Sequence, residues 1–396
     1  MSKLTLKDID LKGKKVLMRV DFNVPLKENG EILDDTRIKA ALPSIEYILS
    51  QNASLILMSH LGRPKGKKDP KLSLLPVSIK LSELLNRKVK MEKDSVGKDI
   101  ETDAKNLKPG QVILLENLRF YEAEEKPEKD PSFAKSLSQL GDLFINDAFG
   151  TAHRKHSSTY TITKYFPKNS VAGFLMEKEI KYLGEILENP KRPFFAIIGG
   201  KKISTKIGVI KNLLKKVDGI FIGGAMSFTF LKAMGKKIGK SIYEEGFVET
   251  AKNLLEKKSE KIYLPTDIVI ADNLSNDAKT RIIPYGDDII DNYEGVGIGP
   301  KTIQTWQEIL LKGKTILWNG PLGVFEFPNF AKGTIAIAKI LSDVNATKII
   351  GGGDSVAAIT LAHLENKFTH LSTGGGASLE YLEYGTLPGI EALTNK

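Results

Sequence analysis

Polar side chains suited to binding an anion or a hydroxyl follow several short apolar runs in the first half of the chain. Arginine matches phosphate and carboxylate oxygens in pairs, whereas aspartate and asparagine can accept from and donate to a ligand hydroxyl. A single arginine is more often a partner in a surface ion pair, so it is the recurrence that predicts a site for a small polyanion. The candidate residues are Asp21, Asn23, Arg37, His60, Arg63, Arg119 and Arg154.

Glycine clusters end the apolar runs of the second half, and the clearest of them is the segment 351–355, Gly-Gly-Gly-Asp-Ser. Glycine lets the backbone approach a phosphate, and the N-terminus of a following helix offers free N–H donors. Asp354 could ligate a phosphate-bound Mg²⁺, or it could cap the helix that follows. The similar segment 373–378 precedes another helical pattern and favours the phosphate interpretation.

Two lysines follow another glycine pair, at positions 199 and 200. Lys202 and Lys206 stand four residues apart, and this spacing predicts that they lie one above the other on a helix face. Two neighbouring cations repel each other unless an anion, such as the phosphates of a nucleotide, bridges them. Two solvated surface lysines are the alternative.

Strand-like and helix-like patterns alternate along the chain, which predicts parallel sheets built from βαβ units. Ligands of such sheets bind outside the carboxyl ends of the strands, where the polar residues above fall. The acidic stretch 121–130 is expected to be a solvated excursion. The other elements expected in the first half are strands near 16–22, 54–58, 112–115 and 143–146, and helices at 38–51 and 76–85.

The second half predicts a doubly wound sheet of about six strands. Apolar residues at helical spacing over 172–187, ending before Pro190, indicate a helix between two domains, with an ordinary helix within one domain as the alternative. The predicted fold class is α/β, with two doubly wound, Rossmann-like parallel-sheet domains joined by an interdomain helix and hinge. The six strands are expected at 194–198, 219–222, 262–264, 315–318, 348–350 and 370–372.

The amino-acid composition limits the classes of protein to which this chain can belong. The 396 residues predict two or three domains, and the absence of cysteine excludes disulfides, thiolate nucleophiles and cysteine-ligated zinc. The net charge of +10 could attract nucleic acid, but the lysines are scattered. No secretory signal is expected, because the N-terminus has no apolar core, and no apolar stretch approaches the ~20 residues of a membrane span.

Taken in order, the long motifs of this chain resemble the phosphoglycerate kinase family, and the resemblance covers essentially the whole sequence. Among them are Arg-Val-Asp-Phe-Asn-Val-Pro from residue 19 and Trp-Asn-Gly-Pro-Leu-Gly-Val-Phe-Glu from residue 318. The segments that carry the resemblance are 19–25, 59–64, 116–120, 146–154, 318–326, 351–355 and 372–378.

The resemblance implies reversible, Mg²⁺-dependent transfer of a phosphoryl group from 1,3-bisphosphoglycerate to ADP, giving 3-phosphoglycerate and ATP. It also implies closure about a hinge and a cytoplasmic monomer that binds these small molecules, with no nucleic-acid or membrane partner. The division it implies is a phosphoglycerate-binding domain at 1–172, an interdomain helix at 173–187, a nucleotide-binding domain at 188–381, and a segment at 382–396 that packs back on the first domain.

The same resemblance assigns residues to roles. Arg37 and Lys202 would act on the transferring group, Glu326 would reach the ribose, and Asp354 would serve the metal. The phosphoglycerate would be held by Asp21, Asn23, Arg37, His60, Arg63, Arg119 and Arg154. The nucleotide would be held by Lys202, Lys206, Gly223, Gly224, Gly295, Asn319, Pro321, Glu326, Gly352, Gly353, Asp354 and Ser355.

Three positions depart from the family's usual pattern. Lys201 replaces a small residue, Gly297 replaces an aspartate, and Ser355 replaces a threonine while keeping the hydroxyl. The competing hypotheses are a catalytically silent binding protein, a nucleic-acid-binding module and an NAD-dependent dehydrogenase. The last is disfavoured because the segment 295–300 lacks the third glycine of the dinucleotide fingerprint.

Overall fold

The structure of the protein is a computed structural model that describes residues 2–396. These residues form two compact units. The first unit comprises the residues up to Lys181 together with Thr386–Lys396, and the second is Tyr182–Gly385. The boundary between Lys181 and Tyr182 falls inside the helix Phe174–Glu188. The four-part division made from the sequence stays a prediction.

The first unit contains a six-stranded sheet in the order β3-β4-β2-β1-β5-β6, and every neighbouring pair is parallel. All five residues of β2 are buried, as expected for a strand of a parallel sheet. The short strands β3 and β6 were not predicted. The strands are β1 Lys15–Arg19, β2 Ser54–Met58, β3 Val89–Met91, β4 Val112–Leu114, β5 Leu143–Asn146 and β6 Ser170–Ala172.

Helices of the first unit bury an apolar stripe against this sheet. In the helix that begins at Thr36, Ile38, Ile45 and Ile48 are fully buried, and they recur at helical spacing. The C-terminal segment hydrogen-bonds to the start of the chain, where Lys3 Nζ donates to the carbonyls of Glu391 and Leu393. The helices are α1 Thr36–Ser50, α2 Leu75–Leu84, α3 Lys98–Asn106, α4 Glu122–Glu125, α5 Ser132–Ser138 and, near the C-terminus, α14 Pro388–Glu391. The helix α6 Phe174–Glu188 belongs to the first unit up to Lys181 and to the second from Tyr182.

The second unit also contains a parallel six-stranded sheet, in the order β15-β14-β13-β7-β8-β9, which confirms the predicted fold class. Its strands are β7 Phe194–Ile198, β8 Gly219–Ile222, β9 Ile262–Tyr263, β13 Thr315–Asn319, β14 Thr347–Gly351 and β15 His370–Leu371. Its helices are α7 Ile207–Leu213, α8 Ser227–Ala233, α9 Val248–Lys258, α10 Pro300–Leu310, α11 Pro328–Asp343, α12 Gly353–Leu361 and α13 Gly376–Tyr384.

A second, antiparallel sheet of three strands in this unit was not predicted. It consists of β10 Asp267–Ala271, β11 Thr280–Pro284 and β12 Glu294–Ile298, in the order β11-β10-β12. The edge strand β11 is largely exposed, and β12 contains two glycines, so neither has the buried apolar run of a central strand. No helix in the described residues is long and apolar enough to span a membrane.

Two local expectations were wrong. Lys202 and Lys206 do not share a helix face, because α7 begins only at Ile207, and the preceding residues form turns. The acidic stretch 121–130 is not a solvated excursion throughout: residues 122–125 form α4, and Glu124 is fully buried.

Candidate active site

The register of the first sheet brings three strand ends together. Arg19, the last residue of β1, pairs with Met58 at the end of β2 and with Asn146 at the end of β5. Asp21, His60 and the segment after Asn146 therefore start from the same edge of the sheet, as the sequence had indicated.

Asp21 and Arg37 form an ion pair at this edge. Arg37 lies in the first turn of α1, and its Nη1 donates to Asp21 Oδ2. The Arg37 side chain keeps 35% of its surface exposed, whereas Asp21 keeps 9%. His60 is buried, with Nδ1 4.0 Å from Asp21 Oδ1. Arg37 therefore has donors left for a ligand, since its guanidinium carries five N–H groups.

Gly62 links two more predicted residues. Its N–H donates to Asn23 Oδ1 at 2.8 Å, and its carbonyl accepts from Arg119 Nη1 at 2.8 Å. Arg119 is 4% exposed, so this bond fixes a nearly buried cation. Arg63 follows Gly62 along the chain and is exposed.

Glu125 joins the remaining arginine to the cluster. Its Oε1 is 3.2 Å from Arg119 Nε and 3.8 Å from Arg154 Nη1. One carboxylate facing two guanidinium groups leaves their charge only partly compensated. The Asn23 N–H donates to Asp21 Oδ1 at 3.3 Å and so joins these contacts to the Asp21–Arg37 pair. The connected residues are Asp21, Asn23, Arg37, His60, Arg119 and Arg154, with Arg63 adjacent in sequence.

Histidines within this cluster are held neutral. Burial, reinforced by the neighbouring arginines, lowers the pKa of His153 to about 4 and that of His156 to about 3. The pKa of His60 is also lowered, again first by burial and then by Arg19. The positive charge of the site at neutral pH therefore comes from arginine.

Sequence reasoning missed the fully buried residues behind the cluster. Arg19 and Glu124 are each 0% exposed, with Nη2 and Oε1 3.8 Å apart. Glu124 stays buried in a segment expected to be solvated because it supplies the counter-charge that a buried arginine requires. The residues next to Arg19 and Glu124 in the sequence do not reveal this ion pair, because the two partners are far apart in the chain.

The second unit builds a different site around Lys206. This lysine precedes α7 and is 8% exposed, and its Nζ donates to the Gly199 carbonyl at 2.6 Å and to Asn319 Oδ1 at 2.8 Å. Gly320 has φ +94°, and a Cβ there would overlap Nζ. Burial lowers the pKa of Lys206 to about 8, and Asp354 opposes the shift.

Two helix N-termini lie at the same cavity. Gly352 precedes α12 with φ +89°, and Gly375 precedes α13 with φ +55°. Ser355 is buried and its Oγ accepts from the Gly320 N–H at 2.5 Å, whereas Asp354 is exposed in the first turn of α12. Asp354 is therefore not the N-cap of the helix, and its carboxylate is free to face a ligand.

Asn319 has a further polar atom directed into this region of the fold. Its buried Nδ2 has no hydrogen-bond partner among residues 2–396, although its Oδ1 is bound by Lys206. A buried donor without a partner is costly, so a ligand acceptor would relieve it. The residues that line this cavity of about 380 Å³ include Lys202, Lys206, Asn319, Pro321, Gly352, Gly353, Asp354 and Ser355.

An adjoining cavity of about 300 Å³ is mainly apolar. Phe228, Val296 and Leu322 contribute to its lining, and none of them was predicted, because an apolar residue in a core-like pattern gives no functional signal. Glu326 also lines it, and Pro321 and Asp354 line both cavities. An apolar slot with a few polar groups beside an anion site suits a nucleoside and its phosphates.

The remaining predicted glycines have different positions. Gly224 and Gly295 line the apolar cavity. Gly223 packs beneath it, since a Cβ there would lie 2.6 Å from Leu322 Cδ2. Of the twelve residues predicted to hold the nucleotide, Gly223 alone lies outside the linings of these two cavities.

Comparisons with known proteins identify the family of this chain. A sequence model of the family described as phosphoglycerate kinase matches residues 6–384. The chain belongs to the phosphoglycerate kinase family. It is 54% identical to the phosphoglycerate kinase of Chloroherpeton thalassium and 55% identical to that of Prosthecochloris aestuarii, in both cases over 100% of each chain.

Solved structures of the phosphoglycerate kinase family match as well. The enzyme from Coxiella burnetii superposes with a TM-score of 0.87 at 40% identity, and that from Pyrococcus horikoshii with 0.86 at 32%, each over 98% of both chains. The family resemblance and the expected activity are thereby confirmed. The chain transfers a phosphoryl group between 1,3-bisphosphoglycerate and ADP, a step of glycolysis.

Proposed function

We propose that the arginine cluster of the first unit holds the phosphoglycerate. Arg37, Arg63, Arg119 and Arg154 would bind its phosphate and carboxylate oxygens, and Arg37 is the best placed because its guanidinium is both paired with Asp21 and partly exposed. Asn23 and His60 would hydrogen-bond the hydroxyl and the remaining oxygens. Because His60 is neutral, its one N–H can donate a hydrogen bond without adding a charge to the site.

ADP or ATP would bind in the two adjoining cavities of the second unit. The base and ribose fit the apolar cavity, with Glu326 accepting from the ribose hydroxyls. The phosphates fit the other cavity, where Lys206 and the N-termini of α12 and α13 provide positive charge and N–H donors. The observation that carries this assignment is the buried Lys206 beside the unpartnered Nδ2 of Asn319.

Mg²⁺ would accompany the nucleotide. The described residues contain no group of three or more acidic or histidine side chains able to hold a metal, so a cage of protein ligands is not available. The single exposed carboxylate of Asp354 fits the coordination preference of Mg²⁺, which binds one or two protein carboxylates and completes its coordination with phosphates and water. When bound, the ion would neutralise charge on the phosphates.

In the transfer step, a carboxylate oxygen of 3-phosphoglycerate forms a bond to the γ-phosphorus of ATP while the bond from that phosphorus to the β-γ bridging oxygen breaks. The products are the acyl phosphate and ADP, and no proton moves because the attacking oxygen is already ionised. Catalysis then consists of positioning and charge neutralisation. Lys202, exposed at the phosphate cavity, and Arg37 would supply positive charge to the transferring group.

The two substrates are thus assigned to different units of one chain. Their reacting atoms must reach about 3–3.5 Å from each other. Closure of the units about a hinge, with α6 as the connecting element, would achieve this and exclude water from the acyl phosphate. The chain would act as a monomer in the cytoplasm, where the nucleotides and phosphorylated acids of glycolysis are found. It would have no nucleic-acid or membrane partner.

Steady-state kinetics separate the two halves of the assignment. Phosphorylation of 3-phosphoglycerate is followed through coupled NADH oxidation for the parent, Arg63→Ala and Glu326→Ala. We expect Arg63→Ala to raise the KM for 3-phosphoglycerate about tenfold, and Glu326→Ala to raise the KM for ATP by a similar factor, each leaving the other KM unchanged. If Arg63→Ala instead raised the KM for ATP, or Glu326→Ala raised the KM for 3-phosphoglycerate, the assignment would be overturned.

A further inference from the structure

Arg19 is a fully buried cation, and each of its three guanidinium nitrogens contacts a protein atom. Nε donates to Ser158 Oγ at 2.8 Å, Nη1 donates to the Val20 carbonyl, and Nη2 lies 3.1 Å from Nδ1 of His60. The Arg19 side chain is 0% exposed. It therefore reaches a ligand only through a neighbour, and the neighbour nearest the phosphoglycerate site is His60.

Glu124 and Ser158 fix the orientation of this guanidinium. Glu124 Oε1 accepts from Ser158 Oγ at 2.6 Å, and Oε2 accepts from the Ser158 N–H at 3.1 Å. Because the hydroxyl gives its only proton to Glu124, its lone pairs are left to accept from Arg19. The carboxylate also compensates the buried charge across 3.8 Å.

This arrangement determines where His60 carries its proton. A guanidinium has only donors and does not deprotonate in proteins, so Nδ1 of His60 must accept from Arg19. The single proton of the neutral ring then lies on Nε2. That atom has no hydrogen-bond partner among the described residues, which leaves its proton available to a ligand.

The surroundings of His60 also oppose a second proton. The cations that face it are Arg19 from β1, Arg37 from α1 and Arg119 from the turn at 118–120, and His156 is held neutral nearby. The acidic group nearest to the ring is Asp21, 4.0 Å from Nδ1 and already paired with Arg37. A proton on Nδ1 would break the bond to Arg19 and place two cations in contact.

We infer that Arg19, held by Glu124 and Ser158, is a positioning residue that keeps His60 as the neutral Nε2–H tautomer and so presents a hydrogen-bond donor to the phosphoglycerate. The inference rests on the proposed contact between His60 and that substrate. It adds a role for three buried residues that touch no substrate atom. It also makes His60 a neutral donor within an otherwise cationic site.

Nuclear magnetic resonance of the ligand-free full chain, labelled with ¹⁵N at histidine, tests the tautomer without any substrate. His60→Gln identifies the resonances. We expect Nε2 to be protonated and Nδ1 unprotonated from pH 5 to 8; a protonated Nδ1, or titration within that range, would overturn the inference. Addition of 3-phosphoglycerate should shift the Nε2–H resonance. An unshifted resonance would overturn the substrate contact while the Arg19 arrangement stood.

A double variant tests the cause. Arg19→Met alone would leave a buried unpaired carboxylate, so it is combined with Glu124→Gln to keep the interior neutral. In the folded double variant we expect resonances of both neutral tautomers of His60, because burial, Arg37 and Arg119 still oppose a second proton while no donor holds Nδ1 unprotonated. Its KM for 3-phosphoglycerate should rise above that of the parent, and this rise should be absent when both proteins also carry His60→Gln.

A purely structural role for Arg19 would raise the KM equally with and without His60→Gln, and that outcome would refute the inference. Ser158→Ala is the second variant, because it keeps both buried charges and removes only the bridging hydroxyl. We expect resonances of both neutral tautomers of His60 in this variant. A single, unchanged tautomer in both folded variants would contradict the role given to Arg19, Glu124 and Ser158.

Discussion

The ammonium of Lys206 lies 2.8 Å from Oδ1 of Asn319, and both side chains are almost completely buried at the phosphate cavity of the second unit. A buried ammonium group whose hydrogen-bond acceptors are all neutral is unfavourable unless an anion compensates its charge. The nucleotide phosphates would provide that anion. The pH dependence of nucleotide binding follows from this pairing.

Affinity for ADP should fall as the pH rises above about 8. Burial lowers the pKa of Lys206 to about 8, so the free protein loses this charge above that pH. Phosphate esters, with a pKa of about 6, are already fully ionised there. Calorimetric titration should show the Kd rising about tenfold per pH unit above 8. Lys202→Ala should keep this step, whereas Lys206→Met should lose it; a flat profile in the parent would contradict the account.

Gly295→Ala should destabilise the protein and weaken nucleotide binding, because a Cβ at this position would overlap the ring of Phe228. Overpacking of this kind costs about 1–3 kcal/mol. Gly297→Ala is the matched control two residues along β12, where the nearest atom to a new Cβ is 3.4 Å away. Urea unfolding and the Kd for ADP should change in the first variant only. Equal effects would show that the apolar cavity does not depend on this contact.

Asp147 should make its own contribution to the pH dependence of stability. Burial raises its pKa to about 6 in the folded protein, although its Oδ1 accepts from the Met176 N–H. Between about pH 4 and 6 the folded state therefore binds more protons than the unfolded state, and this group's contribution to the free energy of unfolding increases as the pH falls.

Asp147→Asn should accordingly be more stable than the parent at pH 7, by about 2–3 kcal/mol at most. The advantage should shrink as the pH falls towards 4, where the parent carboxyl is protonated in the folded state and about half protonated in the unfolded state. Chemical denaturation of both proteins across this range measures the difference directly. A stability difference that did not vary with pH would show that Asp147 is not the group responsible.

Asp354→Asn should raise the Mg²⁺ concentration needed for half-maximal activity. Loss of one carboxylate ligand worth about 1.4 kcal/mol corresponds to about tenfold. The residue is exposed, so the fold should be unaffected. Magnesium titration of the phosphorylation rate at fixed ATP provides the measurement, with Glu326→Gln as the acidic control from the apolar cavity. An unchanged magnesium requirement would remove Asp354 from the metal site.

The central strands of both sheets were predictable because a parallel strand is buried on both faces and is therefore a continuous apolar run. The runs 54–58 and 194–198 match β2 and β7 residue for residue. The antiparallel sheet was missed for the opposite reason. Its strand β11 has four of its five residues exposed, so its stability depends on pairing with β10, which no local pattern records.

The charged residues of the candidate site were predictable by type and by position after a strand, but not by environment. Lys202 and Lys206 have the same side chain, yet one is exposed and the other is buried. The difference arises because Lys206 alone meets the carbonyls at the ends of β7 and β13. Glu124 was misjudged similarly, since its burial depends on Arg19, which is distant in sequence.

The central claim is that Arg37 and Lys202 act together on the transferring phosphoryl group. Single-turnover phosphorylation of 3-phosphoglycerate at saturating substrate and Mg²⁺ tests it most directly, in Arg37→Ala, Lys202→Ala and the control Lys211→Ala, an exposed lysine on α7. We predict that the rate falls by about 10²–10⁵ in the first two and stays near the parent value in the control. Rates within about threefold of the parent in either Arg37→Ala or Lys202→Ala would contradict the account.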